Sequence, residues 1–310
     1  MVAEARPGTR MLYVVFNTTV QAEAAGSFPS NVTCKTAHSL AFREFGVPLR
    51  DRVLHPVRVP AWKAAKVLGI RTAFSPEKDR VIEPAALASI TQGMVRRFCH
   101  TVDPLPITAR HLAPPAGVSP SGAQVLANHL LPYTTRAWAD MTTPRGQLRT
   151  THDVYLKQWQ LSHPQLTGWD VILYDEAQDA DPCIADVIER QHHAQLVVVG
   201  DSAQAIYGWR GAGDFLSRVD AKHRLALTQS WRFGQEVADE GNVWLALVDP
   251  DPALFVRGCP GKSSTVGRLD EPDAVLCRTN AGHRGGADGG PQAGRQGASG
   301  GRGQGGPGLG

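Results

Sequence analysis

The residues best suited to chemistry are the carboxylates that close a short apolar run. Residues 168–180 read GWDVILYDEAQDA, so that four apolar residues lead into Asp175 and Glu176, with Gln178 and Asp179 behind them. A strand that ends in adjacent carboxylates delivers them to the carboxyl edge of a sheet, where α/β proteins bind ligands. One carboxylate can hold Mg²⁺ there, directly or through water, while its neighbour polarises the attacking water in phosphoryl transfer. A solvated loop after a strand is the plainer reading and would suffice for a bare Asp-Glu pair; the full string is more specific. A second run follows at 196–212, LVVVGDSAQAIYGWRGA. It ends in Gly200-Asp201, and the neutral amide of Gln204 suits a sensor of a terminal phosphate that adds no charge. Tyr207, Trp209 and Arg210 then fall within four residues, and aromatic rings beside a cation suit stacking on nucleic-acid bases and contact with phosphates. Tyr207 and Trp209 would equally serve to cap a core. In 225–234, LALTQSWRFG, Trp231 stands next to Arg232: a ring for a nucleobase and a guanidinium for a phosphate, or a core Trp beside a surface Arg.

Such residues need elements to position them. Short runs rich in Val, Leu or Ile at 12–16, 171–174, 196–199, 225–227 and 274–277 read as strands buried on both faces, the parallel-sheet pattern. Helical stretches lie between them at 36–45, 182–191 and 234–247, and the alternation argues for an α/β architecture. The stretch 46–149 differs. Trp62, Val67 and Ile70, then Ile90, Met94 and Phe98, recur at near-helical spacing with no convincing alternating strand, so a mostly helical insertion is expected there.

Composition narrows the class. A chain of 310 residues has room for about two domains, and 42% hydrophobic residues exclude wholesale disorder. No apolar run approaches the ~18 residues of a membrane span, and no secretory signal follows the N-terminal charges, so neither is expected. Cysteines at 34, 99, 183, 259 and 277 are odd in number and form no CxxC pair, which argues against a disulfide scaffold or zinc ribbon and fits a reducing cytosol. The net charge of +3 permits nucleic-acid binding without arguing for it. Residues 282–310 hold 14 of the 32 glycines and almost no aliphatic residue, which reads as a disordered tail. An RNA-binding segment is a second reading, carried only by Arg284-Gly285-Gly286, and a lost reading frame is a third.

In this order and spacing, DEAQD, GDSAQAIYGWRGA and LTQSWRFG resemble the superfamily 1 DNA helicases of the UvrD/Rep type. LYVVFNTTVQAEA, FPSNVTCKTAHSLAFREFG, THDVYLKQWQL and the Trp of QSWR look closest to the bacterial relatives of the F-box DNA helicase, and AVLCRTNAG is similar to the first strand of a second motor domain. The likeness covers about residues 5–282. It implies a P-loop NTPase (RecA-like) parallel sheet, ATP and Mg²⁺ as cofactors, single-stranded and duplex DNA as partners, 3′→5′ unwinding in DNA repair or recombination, and a cytoplasmic, nucleoid-associated location. Asp175 would organise Mg²⁺ and Glu176 would activate the hydrolytic water. Gln204 would contact the γ-phosphate, Trp231 would stack on adenine, and Arg232 would stabilise phosphate charge. Phe16, Asn17, His38, Ser39, Tyr207, Trp209 and Arg210 would contact DNA; a locally satisfied helix-start residue is the plainer reading of His38.

The same likeness divides the chain into a first motor domain at 1–45 and 150–271, a helical insertion at 46–149, the start of a second motor domain at 272–282, and the tail at 283–310. An ATP motor also needs a phosphate cradle, G-x-x-x-x-G-K-[ST]. The one GKS string, at 261–263, has Val256 where the loop glycine belongs and follows the other motifs, which leaves it a surface-loop decoy. In the family the cradle lies just before the helix leading to LYVVFN. The parallel sheet is therefore expected to be incomplete, beginning downstream of the cradle, and the chain alone is expected not to hydrolyse ATP. The competing expectation is a non-enzymatic remnant or single-strand-binding piece of a broken gene.

Overall fold

The computed structural model describes residues 4, 6–15, 17–204, 215–248, 255–270 and 272–275. The chain divides into two compact units, residues 1–223 and 224–310. The first begins with strand β1 (Met11–Val15), helix α1 (Thr18–Ser27) and strand β2 (Val32–Thr36). Helix α2 (Ala37–Ala41) continues through a π-helical turn and a 3₁₀ turn into α3 (Arg50–Leu54). A mostly helical section follows: α4 (Ala61–Leu68), a small hairpin of β3 (Phe74–Glu77) and β4 (Arg80–Ile82), α5 (Pro84–Cys99), α6 (Pro120–Met141) and α7 (His152–Leu161). The chain then returns to the sheet with β5 (Val171–Tyr174), α8 (Pro182–Glu189), β6 (Gln195–Val198) and α9 (Phe215–Arg218). In the second unit the described helix is α10 (Gln235–Val248).

The main sheet is α/β in type, with strand order β2-β1-β5-β6 and every pairing parallel. Its register sets Val14 beside Tyr174 and Tyr174 beside Val198, so three strands reach their carboxyl ends at one level. The apolar runs explain the placement: Leu12, Val14 and Ile172 are wholly buried. β6 departs from the expected two-faced burial. Its Leu196, Val197 and Val198 are half-buried, because β6 pairs on one side only among the described residues.

The expected strand at 225–227 is not formed. Residues 225–227 are irregular, with Leu225 91% and Leu227 84% exposed. Three apolar residues without a ladder partner cannot offset the entropy of ordering them. Ala274 and Val275 are likewise irregular, and the remainder of that run lies outside the described residues. In the opposite direction, β3 and β4 form an antiparallel hairpin where no strand was expected. They are too short to display alternation, burying only Pro76 and Ile82, and they turn through Asp79 in the left-handed region at φ 63°. Trp62, read as part of an apolar helix face, is 66% exposed. Among the described residues, no helix is long and apolar enough to cross a membrane.

Two hydrophobic cores meet at α7. Tyr155, Leu156 and Trp159 pack into the sheet core with Leu12, Ile172 and Val187. Val154 packs into the helical core with Leu87, Met94, Phe98 and Leu130. Lys157 is buried between them with no exposed surface. Its Nζ donates to Thr101 O at 2.8 Å, Asp103 O at 2.7 Å and Gln160 Oε1 at 2.8 Å, which uses all three ammonium protons. It also sits 4.5 Å over the Phe98 ring, and Gln160 passes the connection to Asp186 at 2.8 Å. Burial pulls the Lys157 pKa down, yet three acceptors keep the ammonium solvated by protein.

Lys157→Met keeps the stem but strips the ammonium from Asp103 O and the Gln160 amide oxygen and leaves Thr101 O with only the weak Cys183 thiol donor. It is expected to cost about 2–4 kcal/mol, the range for breaking a buried charged network. Urea unfolding checks this; a loss under about 0.5 kcal/mol would mean that the ammonium does not hold the two cores together.

Candidate functional site

The carboxyl ends of β1, β5 and β6 build the site. Asp175 directly follows β5, and its N–H donates to Val14 O at 3.1 Å, extending the sheet by one rung. Its carboxylate is held on both oxygens. Oδ1 accepts the Glu176 N–H at 3.0 Å, and Oδ2 accepts the Tyr13 hydroxyl at 2.5 Å. Tyr13 stands on β1, its ring edge-on to Phe28 at 5.0 Å. Burial, and then the neighbouring Asp175, raise the Tyr13 phenol well above its ordinary pKa, which keeps it a neutral donor.

Glu176 is exposed and takes a left-handed backbone, φ 54° and ψ 41°. For a residue with a Cβ this conformation costs about 1–2 kcal/mol, and sites that hold such residues are commonly functional. What sustains it is visible beneath. The buried Gln178 donates from Nε2 to Glu176 Oε2 at 2.6 Å, while its Oε1 accepts the Asp201 N–H at 3.0 Å. Ala177 N donates to Val199 O at 3.0 Å. One amide side chain thus joins the end of β5 to the end of β6. Gly200 makes room for it: a Cβ there would stand 2.4 Å from Gln178 Oε1 and 3.0 Å from Ala177 N. Beyond Gly200, Gln204 is exposed and donates from Nε2 to Asp201 Oδ2 at 2.6 Å.

Asp175, Glu176 and Gln204 therefore share one sheet edge. Among the described residues no group of three His, Cys, Asp or Glu forms a metal cage. Two adjacent carboxylates, each with lone pairs to spare, instead fit Mg²⁺ arriving with phosphates, since that ion is usually held by one or two carboxylates plus substrate oxygens.

A second group lies at the ends of β1 and β2. Asn17 Oδ1 accepts the Val20 N–H at 2.9 Å and caps α1. Ser39 Oγ donates to Thr36 O at 2.7 Å, while Thr36 Oγ1 caps α2 through the Ser39 N–H at 3.1 Å. His38 packs edge-on against Tyr155 and His152. The Tyr155 hydroxyl stands 2.9 Å from His152 Nδ1 and 3.4 Å from His38 Nδ1, and burial pushes its pKa up to about 12. Phe16, Tyr207, Trp209 and Arg210 lie outside the described residues.

Trp231 and Arg232 belong to the second unit. Trp231 is 69% exposed, and Arg232 is exposed with its N–H donating to Ser230 Oγ at 3.2 Å. The GKS string packs behind them: Lys262 Nζ donates to Arg232 O at 3.3 Å, and a Cβ on Gly234 would stand 2.3 Å from Lys262 O. Residue reasoning assigned no role to Tyr13, Tyr155 or His152, and named Gln178 only as part of a string. Tyr13 sits in an apolar strand run, where only its partner across the ladder reveals its hydroxyl.

Comparison with known proteins bears on the family of the chain. Residues 128–219 match the UvrD/REP helicase N-terminal domain. The chain is 33% identical over 264 residues to F-box DNA helicase protein 1 of Schizosaccharomyces pombe, covering 79% of this chain and 29% of that protein. It is 33% identical over 274 residues to F-box DNA helicase 1 of Gallus gallus, covering 87% and 26%. Over 72 residues it is 40% identical to the RecBCD enzyme subunit RecB of Mycobacterium tuberculosis, covering 21% and 6%. The chain thus spans less than a third of the length of the curated relatives it matches.

Gly200→Ala sets the new methyl against both the Gln178 amide and backbone. It is expected to cost about 1–3 kcal/mol, as overpacking of tight sites does. Chemical denaturation reads this directly, and a change within about 0.3 kcal/mol would show that the two strand ends have slack.

Proposed function

The chain belongs to the superfamily 1 UvrD-type helicases, and from that premise we propose that its sheet edge is the phosphoryl-transfer site of an ATP-dependent DNA helicase. The observation that carries the reading is the Asp175–Glu176 pair at the end of a parallel strand, with Glu176 held left-handed over a buried amide. Asp175 is proposed to hold Mg²⁺ with the nucleotide phosphates, the ion neutralising charge that develops as the γ-phosphoryl group leaves. Its carboxylate is oriented for this by the Tyr13 hydroxyl. Glu176 is exposed, free to accept a proton from a water at the γ-phosphate. Gln204 is proposed to release Asp201 and contact the γ-phosphate. Trp231 and Arg232 are proposed to supply adenine stacking and phosphate charge.

The DNA track is proposed to run over Asn17, His38 and Ser39, together with Phe16, Tyr207, Trp209 and Arg210. The half-buried His38 and exposed Ser39 at the start of α2 support it. Translocation 3′→5′, a role in repair or recombination, and work beside the DNA of a nucleoid are proposed on the family's account. The 310 residues contain no G-x-x-x-x-G-K-[ST] string. The chain by itself is therefore proposed to bind single-stranded DNA without turning over ATP.

Phosphate release by the 310-residue chain, with and without single-stranded DNA, is expected to stay at background and to be the same in Glu176→Gln. DNA-stimulated release that disappears in the variant would contradict inactivity. When a phosphate-loop sequence is fused ahead of the chain, Glu176→Gln is expected to slow release about 10²–10⁴-fold, the usual worth of a general base, with nucleotide affinity within a few-fold. Turnover within threefold would remove Glu176 from that role.

A further inference from the structure

The helical section carries a surface that the proposed motor chemistry does not use. Between Arg52 and Pro76 the sequence has five cations and no acid: Arg52, Arg58, Lys63, Lys66 and Arg71. The central part is helix α4, whose inner face buries Ala64, Ala65 and Leu68 against the helical core. Its outer face presents Trp62, Lys63 and Lys66 to solvent. Trp62 and Lys66 are four residues apart and Lys63 and Lys66 three, so they are neighbours on one side of the helix. Arg58 precedes the helix and Arg71 follows it, both exposed. At the carboxyl end Arg136 adds a further guanidinium, donating to Leu68 O at 3.0 Å.

Two features set this face apart from an ordinary solvated one. The first turn of α4 has no acidic residue. It carries Lys63 where the positive end of the helix dipole favours a carboxylate. No Glu or Asp three or four residues away pairs with either lysine, and Arg58, Lys63, Lys66 and Arg71 make no ion pair with a carboxylate among the described residues. The Lys63 charge thus stands against local helix stability, while Lys66 lies in the last turn, where the dipole favours a cation. In addition, a Trp with two-thirds of its surface in water stands among the cations. An aromatic platform framed by unpaired cations is the chemistry of a single-strand contact, in which bases stack and phosphates meet the charges.

We propose that the outer face of α4 binds single-stranded DNA, with Trp62 stacking on a base and Lys63, Lys66, Arg58 and Arg71 meeting the phosphates. This surface lies on the helical section, apart from the residues of the proposed motor track, and rests on the reading that the chain acts on DNA. It gives the strand a second hold, made by a part of the molecule with no role in phosphoryl transfer.

The test is fluorescence anisotropy with labelled oligo-dT and the 310-residue chain, repeated over a range of salt. Trp62→Ala is expected to weaken binding about fivefold or more, with Trp62→Phe close to wild type. Lys63→Glu with Lys66→Glu is expected to weaken it at least tenfold and to reduce the salt slope by about 1.4, at ~0.7 per lost single-strand phosphate contact. Because all three side chains are exposed, and Lys63→Glu favours the helix dipole where Lys66→Glu opposes it, thermal unfolding should be nearly unchanged. Wild-type binding with unaltered affinity in these variants would overturn the α4 surface while leaving the motor reading intact. Absence of oligo-dT binding by the wild-type chain would overturn both. Blunt duplex that binds as tightly as oligo-dT and loses the same affinity in the variants would overturn the single-strand assignment.

Discussion

Everything at the candidate site depends on one buried amide. Gln178 uses its two ends on two different strands, donating to the Glu176 carboxylate and accepting the Asp201 N–H. Parallel strands have no hairpin to tie their carboxyl ends together. In this molecule the tie is a side chain and two rungs, Val199 N to Tyr174 O at 2.8 Å and Ala177 N to Val199 O at 3.0 Å. The left-handed turn at Glu176, the small residue at Gly200 and the exposed carboxylate all follow from accommodating that amide. In the proposed motor the strand carrying Asp175 and Glu176 and the strand leading to Gln204 would have to move as one, and Gln178 links the ends of those two strands.

A different link joins the sheet to the helical section. Lys157 solvates its charge with two carbonyls of the segment after α5 and an amide that reaches α8. Arg52 of α3 works alongside it, donating to Asp140 O at 2.9 Å near the end of α6, with its pKa pulled down by burial. Neither contact is apolar, so the two hydrophobic cores remain separate while polar groups fix how they meet. Buried polar contacts of this kind are costly to leave unpaired, which makes the junction directional in a way that apolar packing is not.

Much of the sheet was legible because its strands are buried apolar runs bounded by polar residues. The expected strand at 171–174 coincides with β5, and those at 12–16 and 196–199 lie within one residue of β1 and β6. The same rule misread 225–227, whose three apolar residues have no ladder to join. It also passed over β3 and β4, which pair through a left-handed Asp79 without an alternating pattern. Asp175, Glu176 and Gln204 were legible from a strand end and its string. Tyr13, Tyr155 and Lys157 were not, because a hydroxyl or ammonium inside an apolar run acquires meaning only from a partner brought up by the fold. Trp62 shows the converse: helical spacing placed it inward, and the fold turned it toward water.

The most direct measurement of the central claim is amide hydrogen exchange in Gln178→Met, which keeps the volume of the side chain and removes both of its hydrogen bonds. If Gln178 joins the strand ends, the Ala177 and Asp201 amides will exchange at least tenfold faster than in the wild type, while the β1 amides paired with β2 keep their protection. Unchanged exchange at Ala177 and Asp201 would contradict the account, since the two strand ends would then be held together by something other than this amide.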